Sequence, residues 1–288
     1  MHQRVLLLLP LVLLVVPFLL WPAGLGLISS FTNYAPAQAT VHFVGIRNYI
    51  TALHDPETRA AFRNIVVITL LAVPSELSLG FAIAYLLRKQ FLTRGFVRVC
   101  LLIPWLVSPV AAGVMWRFLF SSNVGLVNFW VAWLRFPLLP SPLGLRGWTL
   151  LAVIMVEIWR KAPLASFLLL PGVQAIPEDL LEQATLDGGT LRTQLRHVMV
   201  PWLRPLALTI TLLLVSDTLG TFDTVLTMTG GGPGSETITP SLYSYLQAFN
   251  AHNWPAGVTL AWLVTGAVLV AGVTYLILAR PQDSEQLS

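Results

Sequence analysis

Glu157, Arg160 and Lys161 interrupt an apolar run at positions i, i+3 and i+4, so a helix places all three on one face just before Pro163. Glu76, Asp217 and Asp223 lie in similarly apolar surroundings. A charge inside such a run is expensive to hold, so each is a candidate for a solute, ion or proton path. The competing reading is that these charges pair between helices and serve packing alone. Trp105, Trp116 and Trp159 supply flat apolar faces that could stack on a solute, although tryptophans near the ends of apolar runs also anchor at membrane interfaces.

Residues for hydrolytic or metal chemistry are not arranged for it. The five histidines, at 2, 42, 54, 197 and 252, show no metal-ligand spacing with one another or with Cys100, the single cysteine. The sequence has no Gly-x-Ser-x-Gly elbow and no zincin helix. Gly230 to Gly234 is glycine-rich but lacks the Lys-Ser/Thr of a phosphate-binding loop, and reads as a turn that reverses the chain. Nothing here argues for an enzyme or for a cofactor bound by this chain. An intramembrane hydrolase would have to assemble its site from separate spans.

One stretch, PEDLLEQATLDGGTLRTQLRHVMVP from Pro177 to Pro201, is polar over a length unmatched elsewhere. Pro177 begins a helix where its missing N–H costs nothing, and Glu178 and Asp179 place negative charge on the positive helix end. Leu180, Leu181 and Ala184 share one face, and Gly188-Gly189 stops the helix. Thr190 is positioned to cap a second, basic helix carrying Arg192, Arg196 and His197, until Pro201 turns the chain toward the next apolar run. Two short helices meeting at a glycine pair make a compact knob. It could lie on lipid headgroups, pack on its own chain or dock a partner; four acids without a base in the first helix suit an anionic membrane surface poorly.

The elements that must hold these residues follow from composition. Of 288 residues 56% are hydrophobic and only 10% charged, and mean hydropathy is +0.74, which describes an integral membrane protein and not a soluble domain with about 25% charge. A formal net charge of +4 without runs of Lys or Arg fits membrane topology and not nucleic acid. Six segments are long enough to span, approximately 5–29, 64–87, 96–120, 148–173, 205–227 and 256–279. Helices are expected, because lipid leaves backbone groups no partner outside the segment. The N-terminus also resembles a secretory signal with a site near Ala37-Gln38-Ala39, but its apolar run is longer than the about 7 to 15 residues of a cleaved signal, which favours a retained first span.

Basic residues orient the spans, since short loops rich in Lys and Arg stay cytoplasmic. Arg4, Arg88, Lys89, Arg94, Arg98, Arg192, Arg196, Arg204 and Arg280 fall on one side, against Arg47, Arg59, Arg63, Arg135 and Arg146 on the other. The expectation is a single 1–288 domain with both termini and the knob in the cytoplasm.

The spacing in Glu182-Gln-Ala184-Thr-Leu-Asp-Gly188, followed by nine residues and Val-Met-Val-Pro201, resembles the EAA loop of ABC importer permeases. Gln183 departs from the small residue usual there, and Val198 and Val200 replace Ile and Leu. FVGIRNYI, RGFVRVCLLIPWLVSPVAAGVMWRFLF and FDTVLTMTGGGPGSET are similar to segments of the carbohydrate branch, of the maltose and glycerol-3-phosphate type. The resemblance implies an all-α, six-helix MetI-like permease of a bacterial or archaeal cytoplasmic membrane, with a helix-turn-helix coupling loop (177–201) between helices 4 and 5. It implies a second permease subunit, two copies of an ATPase carrying ATP-Mg, an external solute-binding protein and a sugar substrate. Glu182, Gln183, Ala184, Asp187 and Gly188 would then dock the ATPase. A self-contained secondary transporter or channel using the buried acids is the alternative.

Overall fold

The computed structural model describes residues 15–34, 40–122, 125–133 and 141–279. Arg4, Ala37-Gln38-Ala39, Arg135, Arg280 and the start of the 5–29 segment lie outside them. Among the described residues the chain is helical, with one isolated antiparallel bridge between Thr32 and Phe43.

The helices are α1 (Val16–Ser30), α2 (Arg47–His54), α3 (Pro56–Leu86), α4 (Arg94–Leu106), α5 (Pro109–Leu119), α6 (Leu126–Trp133), α7 (Trp148–Gln174), α8 (Glu178–Leu186), α9 (Leu191–Leu219), α10 (Asp223–Met228), α11 (Pro240–Tyr245) and α12 (Trp254–Leu278). By length and composition α3, α9 and α12 can each cross a membrane. The bent pair α4–α5 is a fourth candidate, and α1 is a shorter apolar helix. At 27 residues α7 has the length of a span, and Glu157, Arg160 and Lys161 lower its apolar character.

α3 and α7 pack along each other and form the centre of the molecule. The two helices cross closely at Gly80, where a Cβ would come within 2.7 Å of Ala165 Cβ and 2.9 Å of the Ser166 nitrogen. One apolar cluster, including Ile65, Ile68, Val153, Val225 and Leu242, fills the half near the glycine-rich loop. A second, including Leu169, Val173, Leu203 and Leu214, fills the half near the polar knob.

Three expectations need correction. The 96–120 segment is not one straight span, because α4 and α5 meet at 92°. Ser108 causes the break: it precedes Pro109, which disfavours helical backbone, and its side chain caps α5 by accepting from the Ala111 N–H at 3.2 Å. Pro201 does not turn the chain, since α9 runs through it from Leu191 to Leu219. A wider π turn at Leu195–Met199 precedes this proline and accommodates its missing donor. The 205–227 segment therefore splits instead at Gly220–Phe222, between α9 and α10.

Candidate functional site

Two regions carry the polar chemistry. The first is a charged network at the centre of α7 and the end of α9. Lys161 Nζ lies 2.9 Å from Glu157 Oε2 and 2.7 Å from Asp217 Oδ2, and donates to Thr218 Oγ1 at 3.1 Å. Arg160 Nη2 reaches the same two carboxylates at 3.3 and 3.7 Å. Glu157 and Lys161 are fully buried, which two charges tolerate in a low-dielectric interior only when paired and hydrogen-bonded. The side chain of Asp217 is 61% exposed, so the network meets the surface of the chain there.

Glu76 on α3 is buried within electrostatic reach of Lys161, yet neither of its carboxyl oxygens has a hydrogen-bond partner. Trp159 on α7 meets Trp116 edge-on, with ring centroids 5.5 Å apart. Asp223 is different. It opens α10, half-buried, and joins none of the ion pairs among the described residues. Of the residues singled out for a path, four therefore form one network, Glu76 and Trp159 flank it, and Asp223 stands apart. Thr218 escaped the sequence reading, because its role depends on a helix 57 residues away.

The second region is the knob. α8 starts with Glu178 and Asp179 in its first turn, and Pro177 sits just ahead of it at the cap position, not inside it. Asp187 N–H donates to Gln183 O at 3.0 Å, Gly188 N–H to Thr185 O at 3.0 Å and Gly189 N–H to Ala184 O at 2.8 Å, which closes the helix end. Gly188 takes φ +76°, a conformation that suits glycine. Gln194 fastens the second helix to the first by donating to Thr185 Oγ1 at 2.8 Å. Thr190 occupies the cap position of α9, but its hydroxyl meets Thr193 Oγ1 at 3.2 Å and caps no backbone N–H, contrary to expectation.

Glu182, Gln183, Asp187 and Gly188 are all exposed, Ala184 is half-buried, and Leu186 shows 86% of its surface. A groove of about 650 Å³ runs between the end of α3 and the knob, lined by Tyr85, Arg88, Lys89, Glu178, Glu182 and Gln194 among others. Arg88 reaches Glu178 at 3.5 Å across it.

At the opposite end the glycine-rich loop is held by Asn64, whose amide donates to Ser235 O at 2.9 Å and Ile238 O at 3.0 Å. Gly230, Gly231 and Gly234 all have positive φ, as a chain-reversing turn requires. Asp55 caps α3 by accepting from the Thr58 N–H and hydroxyl, each at 2.9 Å. Burial favours the neutral acid, but hydrogen bonds from Thr58 and Tyr243 outweigh it and hold Asp55 below the usual carboxylate range.

Among the described residues no cluster of three or more His, Cys, Asp or Glu side chains could hold a metal ion. The arrangement is a buried charged network open to the surface at Asp217, joined by α7 and α9 to an exposed polar knob.

Residues 76–284 match the family described as binding-protein-dependent transport system inner membrane component. The chain is 31% identical over 241 residues to the trehalose/maltose transport system permease protein MalF of Thermococcus litoralis, covering 83% of this chain and 80% of that protein. It is 28% identical over 268 residues to the sn-glycerol-3-phosphate transport system permease protein UgpA of Agrobacterium fabrum, covering 92% and 89%. A chain of a bacterial alginate ABC transporter, solved in complex with an alginate pentasaccharide-bound periplasmic protein, superposes with a TM-score of 0.82 at 18% identity over 97% of this chain and 94% of that one. That likeness establishes the fold, and none of these findings supports a self-contained carrier or channel. The chain belongs to the family of inner membrane components of binding-protein-dependent transport systems.

Proposed function

We propose that this chain is the permease subunit of an ATP-driven sugar importer, forming half of the translocation path and docking an ATPase through Glu182 to Gly188. The observation that carries this reading is the family match over 76–284, which includes an exposed knob with the EAA spacing at its tip. The trehalose/maltose and trehalose permeases among its relatives support a sugar substrate. The full arrangement is six spans in a bacterial or archaeal cytoplasmic membrane, with both termini and the knob inside. A second permease subunit, two ATPase copies and an external solute-binding protein complete the complex, and ATP-Mg sits on the ATPase.

Glu157, Arg160, Lys161 and Asp217, with Glu76 and Trp159 beside them, line the path in this reading. Hydroxyl-rich solutes need donors, acceptors and flat apolar faces, and the exposed Asp217 carboxylate and the Trp116–Trp159 pair are the groups that offer these. Asp223 takes a peripheral place. ATP-driven closure of the ATPase dimer moves the knob, and α9, continuous from Leu191 to Leu219, carries the movement to Asp217 and Thr218. Coupling is then a shift between two states that bind ATP and solute unequally.

The test is affinity capture of the tagged chain co-expressed with its neighbouring transport genes. An ATPase retained by the wild type and lost from Glu182→Lys supports the docking role. Retention unaffected by Glu182→Lys and Gly188→Val together would remove it.

A further inference from the structure

Arg94 and Arg98 lie on one face of α4, one turn apart, and both turn toward the last turn of α7. Arg94 retains 9% of its exposure and Arg98 is half-buried. With the Gln174 amide turned so that its oxygen faces the two guanidinium groups, Gln174 Oε1 accepts from Arg94 Nη2 and, at 3.2 Å, from Arg98 Nη2. Neither Nε has a hydrogen-bond partner, and among the described residues neither arginine has a carboxylate within ion-pair distance. Two positive charges thus share one neutral acceptor.

This is unusual for buried charge. A guanidinium taken out of water without a counter-charge loses several kcal/mol of solvation, by the order-of-magnitude cost of burying an ion. The carbonyl end of α7 offsets part of that with about half a negative charge, which two arginines divide. Arg88, before α4 in the chain, already pairs with Glu178, and Lys89 adds a further positive charge. The corner is one anion short.

Its height supplies the candidate. Phe96, Val99 and Ile103, on the opposite face of α4, are exposed and apolar, as a helix facing acyl chains requires. Leu92, just before α4, is fully exposed. The first turn of α4 is thus where an exposed apolar face begins, the position a headgroup layer would border if that face meets lipid. Gln174, which receives both guanidinium groups, is itself exposed and opens the pair to that layer.

We propose that Arg94, Arg98 and Gln174 form a binding site for the phosphate of an anionic membrane lipid. Guanidinium groups bind phosphate through paired, charge-assisted hydrogen bonds. Basic pockets between spans at the membrane surface are suited to such headgroups.

The experiment is native mass spectrometry of the detergent-purified full chain, titrated with phosphatidylglycerol or with phosphatidylcholine. Expected is a preference of about tenfold for phosphatidylglycerol, equivalent to about 1.4 kcal/mol. That preference should fall to near unity in Arg98→Gln, and in Gln174→Glu, which supplies a carboxylate in place. Gln174→Glu should also raise the melting temperature, which separates loss of the site from loss of the fold. Equal binding of the two lipids by the wild type, or an unchanged preference in both variants, would overturn the proposal. Displacement of the lipid by millimolar inorganic phosphate would reassign the site to a soluble anion. If Arg98→Gln instead releases a co-purifying ATPase while lipid preference stays intact, the pair belongs to a protein interface and the lipid site is rejected.

Discussion

Lys161 holds the central network together, because it alone reaches Glu157, Asp217 and Thr218 within 3.1 Å. Lys161→Met leaves the buried Glu157 with the longer Arg160 ion pair at 3.3 Å alone, and breaking a buried pair from one side costs up to about 3–5 kcal/mol. The expected outcome is a large drop in folded, membrane-inserted protein, measured by thermal unfolding in detergent. Asp217→Asn is a different case: its side chain is largely exposed and Lys161 keeps Glu157, so the stability change should stay within about 1 kcal/mol. If Asp217 lines the path, uptake falls while the melting temperature holds; equal losses of both would make the network purely structural. Asp55 gives a pH signature. Its folded pKa is lowered, so its contribution to stability is present above the unfolded value and lost as pH falls through the folded one. Asp55→Ala should therefore cost about 1 kcal/mol of helix capping at neutral pH, and its melting deficit should shrink toward zero in acid. The grouping of Glu157, Arg160 and Lys161 was legible from i, i+3, i+4 spacing. Their pairing with Asp217 and Thr218 was not, since periodicity along one helix carries no information about which neighbour it faces.

At the scale of elements, apolar run length located α3, α7 and α12 to within a few residues, apart from the start of α3 at Pro56 instead of residue 64. Breaks were less legible. Ser108-Pro109 is a helix start signal hidden inside an apolar run, and length alone passes over it. Pro201 reads as a break and is not one, because the π turn before it absorbs the missing hydrogen bond. Close crossings were also invisible: Gly80 looks like any glycine until Ala165 lies against it. Gly80→Leu should force α3 from α7 and lower stability by about 1–3 kcal/mol, the usual cost of overpacking, with Gly95→Leu, which meets open space, as the neutral comparison in the same melting assay. In the knob, Gly188→Val imposes about 1–2 kcal/mol of left-handed backbone strain at an exposed site. Membrane levels should hold while ATPase retention falls.

At the scale of the molecule, the EAA spacing and the segments around it made the permease family readable before any coordinates. The exposure of Glu182, Gln183 and Asp187 is what the proposed ATPase docking surface requires of the uncomplexed subunit. Gln183 is exposed with them, so in the proposed complex its extra bulk would meet the ATPase and not this chain. The most direct measurement is sugar uptake into proteoliposomes holding the co-purified complex, with binding protein outside and ATP enclosed. Expected is uptake that requires both ATP and the binding protein and falls at least about tenfold in Glu182→Lys, a loss of roughly 1.4 kcal/mol in coupling. Uptake by this chain alone, without ATPase or ATP, would contradict the central claim.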